Sequence, residues 1–356
     1  MKNLNFHKYF RLNGIQFKSK NELLAYSKTI SSSVHSFLIN WFDNTPFMTV
    51  QTSGSTGKPK SIRLKKEYMI NSAIATGNYF NLPSKTTALL CLSTEYIAGK
   101  MMLVRGLVLG WELDIITTDS HPLKGVQKTY DFSAMVPLQV YNSINDLYRV
   151  EKLIVGGGVV SRDLEKRLST ISTKVYATYG MTETITHIAV RKLNHLPKTE
   201  VDSEPHYAIL QNIKISNDAR GCLVIDAPKI SDETIITNDL IEMISDDKFR
   251  WLGRYDTIIN SGGIKLIPEQ IEVKLSDIID NRFFVSSLPD KILGEKLIIV
   301  VESTDKFKDL IMSKINNLSS LHKFEIPKEV YFIEDFVETE TKKINRKETL
   351  DTIFES

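Results

Sequence analysis

The sequence contains few of the residues that build disulfide-linked or metal-stabilised frameworks. Its 356 residues include only two cysteines. Cys91 and Cys222 each stand alone in an apolar stretch, without a CxxC pair or a nearby group of histidines. Cysteines in such surroundings are typical of reduced thiols in a hydrophobic core. We therefore expect neither a disulfide scaffold nor a structural zinc site.

The chain also lacks an excess of charge of one sign and a long hydrophobic run. Lys and Arg total 45 against 43 Asp and Glu, a net charge of +2, which is too small for non-specific nucleic-acid binding. The apolar stretch from Met101 to Leu109 is too short for a membrane span and contains Arg105. Residues 1–14 lack the apolar core of a signal peptide. We expect a cytoplasmic protein without a nucleic-acid partner or membrane span, in an oligomeric state that stays open.

The pattern of apolar residues favours an α/β fold. Residues 21–41 have helical spacing, and Phe47 to Val50 reads as a strand. Further apolar segments with helical patterns between several of them predict a largely parallel sheet. These segments are Thr87 to Leu92, Leu113 to Thr117, Ala134 to Val136, Lys152 to Val155 and Lys174 to Ala177.

Beyond Met181 the pattern changes to shorter strands separated by polar turns. His187 to Val190, Ala208 to Ile215 and Gly221 to Ile225 indicate an appended antiparallel or barrel-like β subdomain. A compact αβ pattern then restarts, with helices over 268–279 and 306–320 and strands over 282–287 and 296–302. A chain of this length favours two domains with a cleft between them. We place the boundary at 255/256, giving an N-terminal domain over 1–255 and a small α+β domain over 256–356.

A loop rich in glycine and hydroxyl groups follows the strand that ends at Val50. Backbone N–H groups at glycines, hydroxyls and lysines together suit a polyphosphate. A P-loop would need Gly where Thr52 stands and Ser or Thr where Pro59 stands, so that motif is excluded. A flexible surface turn is the structural alternative. The candidate anion-binding residues are Thr52, Ser53, Gly54, Ser55, Thr56, Gly57 and Lys58.

A second motif, Tyr179-Gly180-Met181-Thr182-Glu183-Thr184, follows a predicted buried strand. Ligand-binding loops of α/β sheets lie beyond such strand ends. An aromatic ring can stack on a base, a threonine can donate to a phosphate, and a glutamate can hold Mg2+ through oxygen. The structural alternative is a strand-to-helix turn with a capping threonine.

These two motifs resemble those of the adenylate-forming superfamily, which includes acyl-CoA synthetases, firefly luciferase and peptide-synthetase adenylation domains. The resemblance implies ATP and Mg2+ as cofactors and a large adenylation domain followed by a mobile C-terminal domain. By that resemblance the loop binds the ATP phosphates, Tyr179 flanks adenine, and Thr182 contacts the α-phosphate. Glu183 would help to hold magnesium, and Gly157 and Gly158 resemble the adenine-binding glycine turn.

Three segments nearer the C-terminus extend the resemblance. Thr237-Asn238-Asp239 is similar to the family's TGD triplet, with Asn238 in place of glycine, and implies that Asp239 binds ribose. The segment from Trp251 to Glu272 is similar to the family's interdomain linker. It implies that Arg254 binds ribose, that Asp256 is the hinge, and that Gly263 enters the site in a second half-reaction. Lys343 matches the catalytic lysine of a GKIxR sequence in which Lys342 replaces glycine.

The short N-terminal region and two local segments resemble the o-succinylbenzoate-CoA ligases of menaquinone biosynthesis. In the first segment Tyr96 and Gly99 open a helix that bears Arg105, and either Arg105 or Lys100 could meet a second substrate carboxylate. Glu95 and Tyr96 stand where those ligases commonly carry histidine. In the second segment His187 follows the Tyr179 motif. The structural alternatives are packing cations and a packed histidine.

The predicted reaction forms an acyl-adenylate and pyrophosphate from ATP and a small carboxylic acid, and coenzyme A then displaces AMP. We expect o-succinylbenzoate as the acid. Another aryl or fatty acyl-CoA ligase, or an enzyme that loads a carrier-protein thiol, is the alternative within the same class. A non-catalytic adenylate-binding module is the alternative from another class.

Overall fold

The computed structural model describes residues 6–51, 61–196, 205–304, 307–339 and 343–354. Within these residues no helix is both long enough and apolar enough to cross a membrane. The N-terminal segment places two short strands and three helices around a β-hairpin. Its elements are β1 Arg11–Leu12, β2 Ile15–Gln16, α1 Lys20–Ser27, α2 Ser32–Phe42, β3 Phe47–Gln51, β4 Ser61–Lys65 and α3 Lys66–Tyr79.

The helical pattern predicted for residues 21–41 is present in the structure as two helices, α1 and α2. Ser31 is extended, with φ −164°, and its side chain accepts a hydrogen bond from the backbone N–H of Val34. Ser19 caps α1 in the same way through the N–H of Glu22. Serine hydroxyls that bond backbone groups favour a helix start over a helix interior, which explains the break before α2.

The next segment alternates strands and helices, as predicted for an α/β domain. Its elements are β5 Thr87–Leu90, α4 Ile97–Leu109, β6 Glu112–Ile115, β7 Tyr130–Met135, α5 Pro137–Asn142, β8 Val150–Val155, α6 Arg162–Leu168 and β9 Lys174–Gly180. The strands lie in the order β9-β8-β7-β5-β6-β1, and neighbours in this run are parallel. Their carboxyl ends therefore meet at one edge of the sheet, where Gly156 and Gly180 lie.

Six antiparallel strands continue the same sheet. They are β10 His187–Lys192, β11 Tyr207–Ile209, β12 Lys214–Asn217, β13 Cys222–Asp226, β14 Ile235–Ser245 and β15 Lys248–Arg254. Together with β1, β2 and β5 to β9 they form an open 13-stranded sheet, so the described part of the appended β region is antiparallel and not a barrel. The predicted strand Ala208 to Ile215 is two strands because Asn212 turns the chain with φ 63°, a left-handed conformation that asparagine tolerates.

The C-terminal segment forms a second, smaller sheet with helices against it. Its elements are β16 Ile259–Ser261, β17 Ile264–Leu266, α7 Pro268–Leu275, β18 Phe283–Asp290, β19 Gly294–Glu302, α8 Lys308–Asn316, β20 Glu329–Ile333 and α9 Arg346–Phe354. Its buried apolar side chains form clusters separate from those of the large sheet. The boundary at 255/256 stays a prediction, which these separate cores support. Cys91, directly after β5, and Cys222, in β13, are free and buried.

Candidate active site

The turn between β9 and β10 lies at the carboxyl edge of the parallel strands. Gly180, the last residue of β9, pairs with His187 at the start of β10. A Cβ atom added to Gly180 would lie 2.2 Å from the backbone oxygen of Thr186. Only glycine permits this approach. This close approach of Gly180 to Thr186, the β9–β10 crossing, places Tyr179 on β9 near His187 on β10.

The Thr184 hydroxyl and a strained residue close this turn. The backbone N–H of Met181 donates to Thr184 Oγ1 over 2.9 Å, and that hydroxyl donates to the Thr186 oxygen over 2.6 Å. Ile185 has φ 66° and ψ −62° and is buried, a conformation that costs about 1–3 kcal/mol for a non-glycine residue. The turn leaves Thr182 half-buried and Glu183 exposed at its surface.

The Asp239 carboxylate is the centre of the residues predicted to bind the nucleotide, which we call the nucleotide side of the site. The Tyr179 hydroxyl donates to Asp239 Oδ2 over 2.6 Å, and the Trp251 indole N–H donates to Oδ1 over 3.2 Å. Arg254 Nη1 lies 3.8 Å from Oδ1. The Tyr179 ring packs edge-on against Phe249, with centroids 5.3 Å apart. Burial raises the pKa of Tyr179 far above its usual value, so the phenol stays a donor.

Arg254 is paired with carboxylates of the chain itself. Its Nε and Nη2 donate to the two oxygens of Asp256, each over 2.9 Å. This bidentate pair raises the pKa of Arg254 and lowers the pKa of Asp256. The predicted hinge residue is therefore fixed to the predicted ribose residue. Asn238 lies within β14 and accepts from Arg220 over 2.9 Å, so replacing glycine there introduces a side-chain contact without breaking the strand.

Lys343 lies beside this nucleotide side. Partial burial and the neighbouring positive charge of Arg254 lower the pKa of its ammonium group. Its backbone is held by Thr339, whose Oγ1 accepts from the Lys343 N–H over 3.1 Å. Gly262 and Gly263, with φ 58° and 82°, form the two-residue turn between β16 and β17. An added Cβ at Gly263 would meet nothing within 4 Å, so this turn is open to solvent.

Arg105 is the centre of the residues predicted to bind the acid, which we call the acid side of the site. It is 2% exposed on α4, and its Nε and Nη2 donate to the hydroxyls of Thr76 and Thr186, each over 3.3 Å. Within the described part of the chain no carboxylate lies at ion-pairing distance from it. Burial lowers the pKa of Arg105 to about 10, which leaves the guanidinium charged at neutral pH. Its partners Thr76, Met102 and Thr186 are all neutral, so no anion among the described residues balances this buried charge.

The remaining acid-side candidates divide into two groups. His187 is 7% exposed, and its Nε2 lies 3.4 Å from Thr76 Oγ1. Burial and the charge of Arg105 lower the pKa of His187 to about 3, so it is neutral. Lys100 instead donates to the Glu95 backbone oxygen over 2.5 Å, at the start of α4 near Tyr96. The structure thus brings Arg105 and His187 together around Thr76, and Lys100 lies one helical turn away.

The structure gives less information about the other predicted site residues. Thr52, Ser53, Gly54, Ser55, Thr56, Gly57 and Lys58 lie outside the described residues; Gln51 and Ser61 on either side of them are paired in the β3–β4 hairpin. Gly157, with φ 80°, and Gly158 are exposed after β8. Among the described residues no three His, Cys, Asp or Glu side chains cluster as a metal site.

Sequence reasoning missed several polar residues of the site. Thr76 and Ser72 come from α3, and Ser72 Oγ lies 3.1 Å from Thr186 Oγ1. No motif marked either residue. Thr186 and Trp251 lie inside segments already recognised, so listing the hydroxyl and indole donors of those segments would have marked both as candidates.

Comparisons with known proteins agree with the resemblance of the motifs. A family model described as AMP-binding enzyme matches residues 42–227, more than half of the chain. The chain is 25% identical over 332 residues to a 2-succinylbenzoate–CoA ligase of Bacillus cytotoxicus, covering 84% of this chain and 68% of the relative.

Solved structures with the same fold also match. An acyl-CoA synthetase (AMP-forming)/AMP-acid ligase II-like protein from Dyadobacter fermentans is 35% identical, with TM-score 0.59 and coverage of 90% of this chain and 94% of that one. O-succinylbenzoate coenzyme A synthetase from Bacillus subtilis, in complex with ATP and magnesium ion, has TM-score 0.72 at 16% identity. That likeness covers 94% of this chain and 82% of the other and supports the fold.

Proposed function

Since the chain belongs to the family of AMP-binding enzymes and is an adenylate-forming ligase, we propose that it joins o-succinylbenzoate to coenzyme A. In the first step a substrate carboxylate attacks the α-phosphorus of ATP, the bond to the β-phosphate breaks, and pyrophosphate leaves. In the second step the coenzyme A thiolate attacks the acyl carbonyl, and AMP leaves. The curated relative named 2-succinylbenzoate–CoA ligase supports this choice of acid.

The nucleotide side supplies the groups that the first step needs. We assign Tyr179 to adenine and Asp239 and Arg254 to the ribose. Thr182 and Glu183 would face the phosphates from the exposed turn. Lys343 would stabilise the negative charge that develops on the phosphoryl group, a role that needs a fixed cation and no covalent bond. Its proximity to Arg254 supports that assignment.

Magnesium fits this site on the chemistry of the donors. Mg2+ is usually held by one or two carboxylates and by substrate phosphates, with water filling the other positions. Glu183 is an exposed carboxylate on the same turn as Thr182, so it would hold the ion together with the phosphates. When bound, Mg2+ neutralises phosphate charge.

The observation that carries the choice of acid is the buried, unbalanced charge of Arg105. Leaving a guanidinium buried without an anion costs several kcal/mol, so its retention points to a ligand that supplies the anion. O-succinylbenzoate has two carboxylates, one to activate and one that survives. The surviving carboxylate would bind Arg105 while the other reaches the α-phosphate. Thr186 would connect the two carboxylate positions. It accepts a hydrogen bond from Arg105, and the next residue, His187, pairs with Gly180.

We further propose that residues 256–356 rotate about Asp256 between the two steps. The Lys343 segment would leave the site, and the Gly263 turn would enter it for thioester formation. The open space around Gly263 suits a backbone that must approach a ligand closely.

Pyrophosphate release with a panel of acids tests the proposal. We expect selective turnover of o-succinylbenzoate with ATP, Mg2+ and coenzyme A. 4-Oxo-4-phenylbutanoate and 2-butanoylbenzoate each lack one of the two carboxylates. One analogue keeps the carboxylate that is activated and lacks the one proposed to bind Arg105, so it should react slowly. The other lacks the carboxylate that is activated, so it should not react.

Each other outcome identifies an alternative. Equal rates for monocarboxylic aryl or fatty acids would contradict the choice of acid and keep the ligase reaction. Adenylate formation that ignores coenzyme A would favour an enzyme that loads a carrier protein. Nucleotide binding without pyrophosphate release for any acid would favour a non-catalytic module.

A further inference from the structure

Strand β15 contains an irregularity next to the Asp239 carboxylate. Asp239 pairs with Arg254 and Leu240 pairs with Gly253, but the next residue, Ile241, pairs with Trp251. Leu252 is therefore an extra residue, as in a β-bulge.

The bulge determines which way Trp251 points. Side chains alternate between the two faces of a strand, so regular pairing would put Trp251 opposite Glu242 and on the face away from Asp239. The extra residue returns Trp251 to the face that carries Asp239 and Arg254. Its indole N–H consequently reaches Asp239 Oδ1 over 3.2 Å.

Residues of α7 hold the bulge in place. Gln270 Nε2 donates to the backbone oxygen of Leu252 over 2.6 Å. At the adjacent Gly253 an added Cβ would lie 2.5 Å from Glu269 Oε2 and from Ile267 Cγ2. With residues 256–356 in this position the bulge is closely packed and its carbonyl is satisfied, so the direction of Trp251 is well determined.

The Asp239 carboxylate thus accepts one donor on each oxygen from the chain. Tyr179 occupies Oδ2 and Trp251 occupies Oδ1. Each carboxylate oxygen accepts about two hydrogen bonds, so each retains capacity for one more. Two ribose hydroxyls need that arrangement.

We propose that Trp251 is a positioning residue that fixes the plane of the Asp239 carboxylate for the two hydroxyls of the nucleotide ribose. This inference rests on the proposed nucleotide side of the site and adds to it a determinant of ribose recognition. The Tyr179 bond restrains rotation of the carboxylate about its bond to Cβ through one oxygen, and a single hydrogen bond tolerates a range of angles. The Trp251 bond restrains the other oxygen as well, so the carboxylate plane is set before the nucleotide binds.

Trp251→Phe tests the inference because it keeps an aromatic ring and removes the N–H. We expect the KM for ATP to rise about 5- to 20-fold while kcat changes less than about twofold, since the lost interaction is a charge-assisted bond used in binding. The preference for ATP over 2′-deoxy-ATP should fall about 3- to 10-fold. Trp41→Phe, at a buried position on α2, is the matched control and should change neither quantity.

Two further measurements separate positioning from a structural role. In an Asp239→Asn background, Trp251→Phe should add little to the rise in KM, because both changes act on one interaction. Nucleotide binding should also change the intrinsic fluorescence of the wild type and of Trp41→Phe, and this change should disappear in Trp251→Phe. Trp251 is the half-buried tryptophan; Trp41 and Trp111 are buried elsewhere.

Equilibrium binding of ATP without acid or coenzyme A keeps the two proposals distinct. If the wild type does not bind ATP, the proposed function fails. If the wild type binds ATP and Trp251→Phe shows the same affinity and the same preference over 2′-deoxy-ATP, the positioning role of Trp251 is wrong. An equal loss of affinity for both nucleotides would also overturn it, because the ribose would then not be what Trp251 serves.

Discussion

Two arginines on opposite sides of the β9–β10 turn have opposite surroundings. Arg254 is partly exposed and makes a bidentate pair with Asp256, next to Asp239. Arg105 is buried, and its partners in the described part of the chain are hydroxyl and thioether groups. The pKa of Arg254 is raised by its carboxylates, whereas the pKa of Arg105 is lowered to about 10 by burial.

The difference indicates how each charge is used. The charge of Arg254 is balanced by the chain, so this residue can orient a neutral group such as a ribose without needing an anion. The charge of Arg105 is desolvated and has no carboxylate partner among the described residues. This lowers the stability of the folded protein and favours the binding of an anionic ligand. We therefore expect substitutions on the nucleotide side to impair the reaction of every acid. Substitutions on the acid side should change which acid reacts.

The largest expected effect is on the nucleotide side, at Lys343. Lys343→Ala should slow formation of the acyl-adenylate by about 10²- to 10³-fold for every acid, because a preorganised cation at the developing charge is lost. Thioester formation from added acyl-adenylate should change less than about threefold, since a different face of the C-terminal domain is proposed to serve that step. Separate assays of pyrophosphate release and of thioester formation measure the two rates.

Lys347→Ala removes an exposed lysine of α9 and is the matched control. It should leave both rates near those of the wild type. Lys342→Ala tests the alternative alignment of the lysine motif. A large loss of adenylate formation in Lys342→Ala, together with normal activity in Lys343→Ala, would show that the catalytic lysine was assigned one residue too late.

The next effect is on the acid side, at Arg105. Arg105→Met should lower kcat/KM for o-succinylbenzoate by about 30- to 300-fold through the loss of a buried charge pair with the substrate. The KM for ATP should stay near that of the wild type. The preference for o-succinylbenzoate over the analogue that keeps only the activated carboxylate should largely disappear. The melting temperature should hold or rise, because a buried uncompensated charge is replaced by a side chain of similar length.

Lys100→Met decides between the two candidate cations. It changes a lysine on the same helix that already donates to the Glu95 backbone oxygen. We expect it to alter the acid preference less than about threefold. If Lys100→Met removes the preference and Arg105→Met does not, the acid-binding cation lies at the start of α4. The conclusion that the buried charge of Arg105 binds the acid would then be wrong.

The sequence predicted the layers of the fold better than the breaks within its elements. The apolar segments 87–92 and 174–177 lie in the parallel sheet, as expected from buried strands. The break before α2 depends on the Ser31 cap, and the break at Asn212 depends on one left-handed residue. Apolar periodicity does not register such local backbone chemistry.

The sequence also predicted only some of the contacts between site residues that lie far apart along the chain. The contact of Tyr179 with Asp239 joins two recognised motifs, so the resemblance already implied that they lie close together. Thr76 could not be found in this way because it reaches Arg105 from another helix and belongs to no motif. The unbalanced charge of Arg105 is a fact of packing in three dimensions. A sequence shows that an arginine is present but not that its neighbours lack carboxylates.

The smallest expected effect concerns the pH dependence of stability at His187. Its folded-state pKa is about 3, and an unfolded histidine titrates near 6.5. Between these values the unfolded chain binds the proton and the folded chain does not, so the free energy of unfolding falls as the pH falls. From pH 7.5 to pH 5 the wild type should lose about 1–2 kcal/mol more than His187→Gln, measured by urea denaturation.

His322→Gln removes an exposed histidine of the C-terminal segment and should keep the wild-type pH dependence. Burial is the larger cause of the lowered pKa of His187 and the charge of Arg105 is the smaller one. Arg105→Met should therefore retain most of the loss of stability between pH 7.5 and pH 5. If that variant instead behaves like His187→Gln, the charge of Arg105 and not burial keeps His187 neutral, and the acid side is more accessible to water than its burial implies.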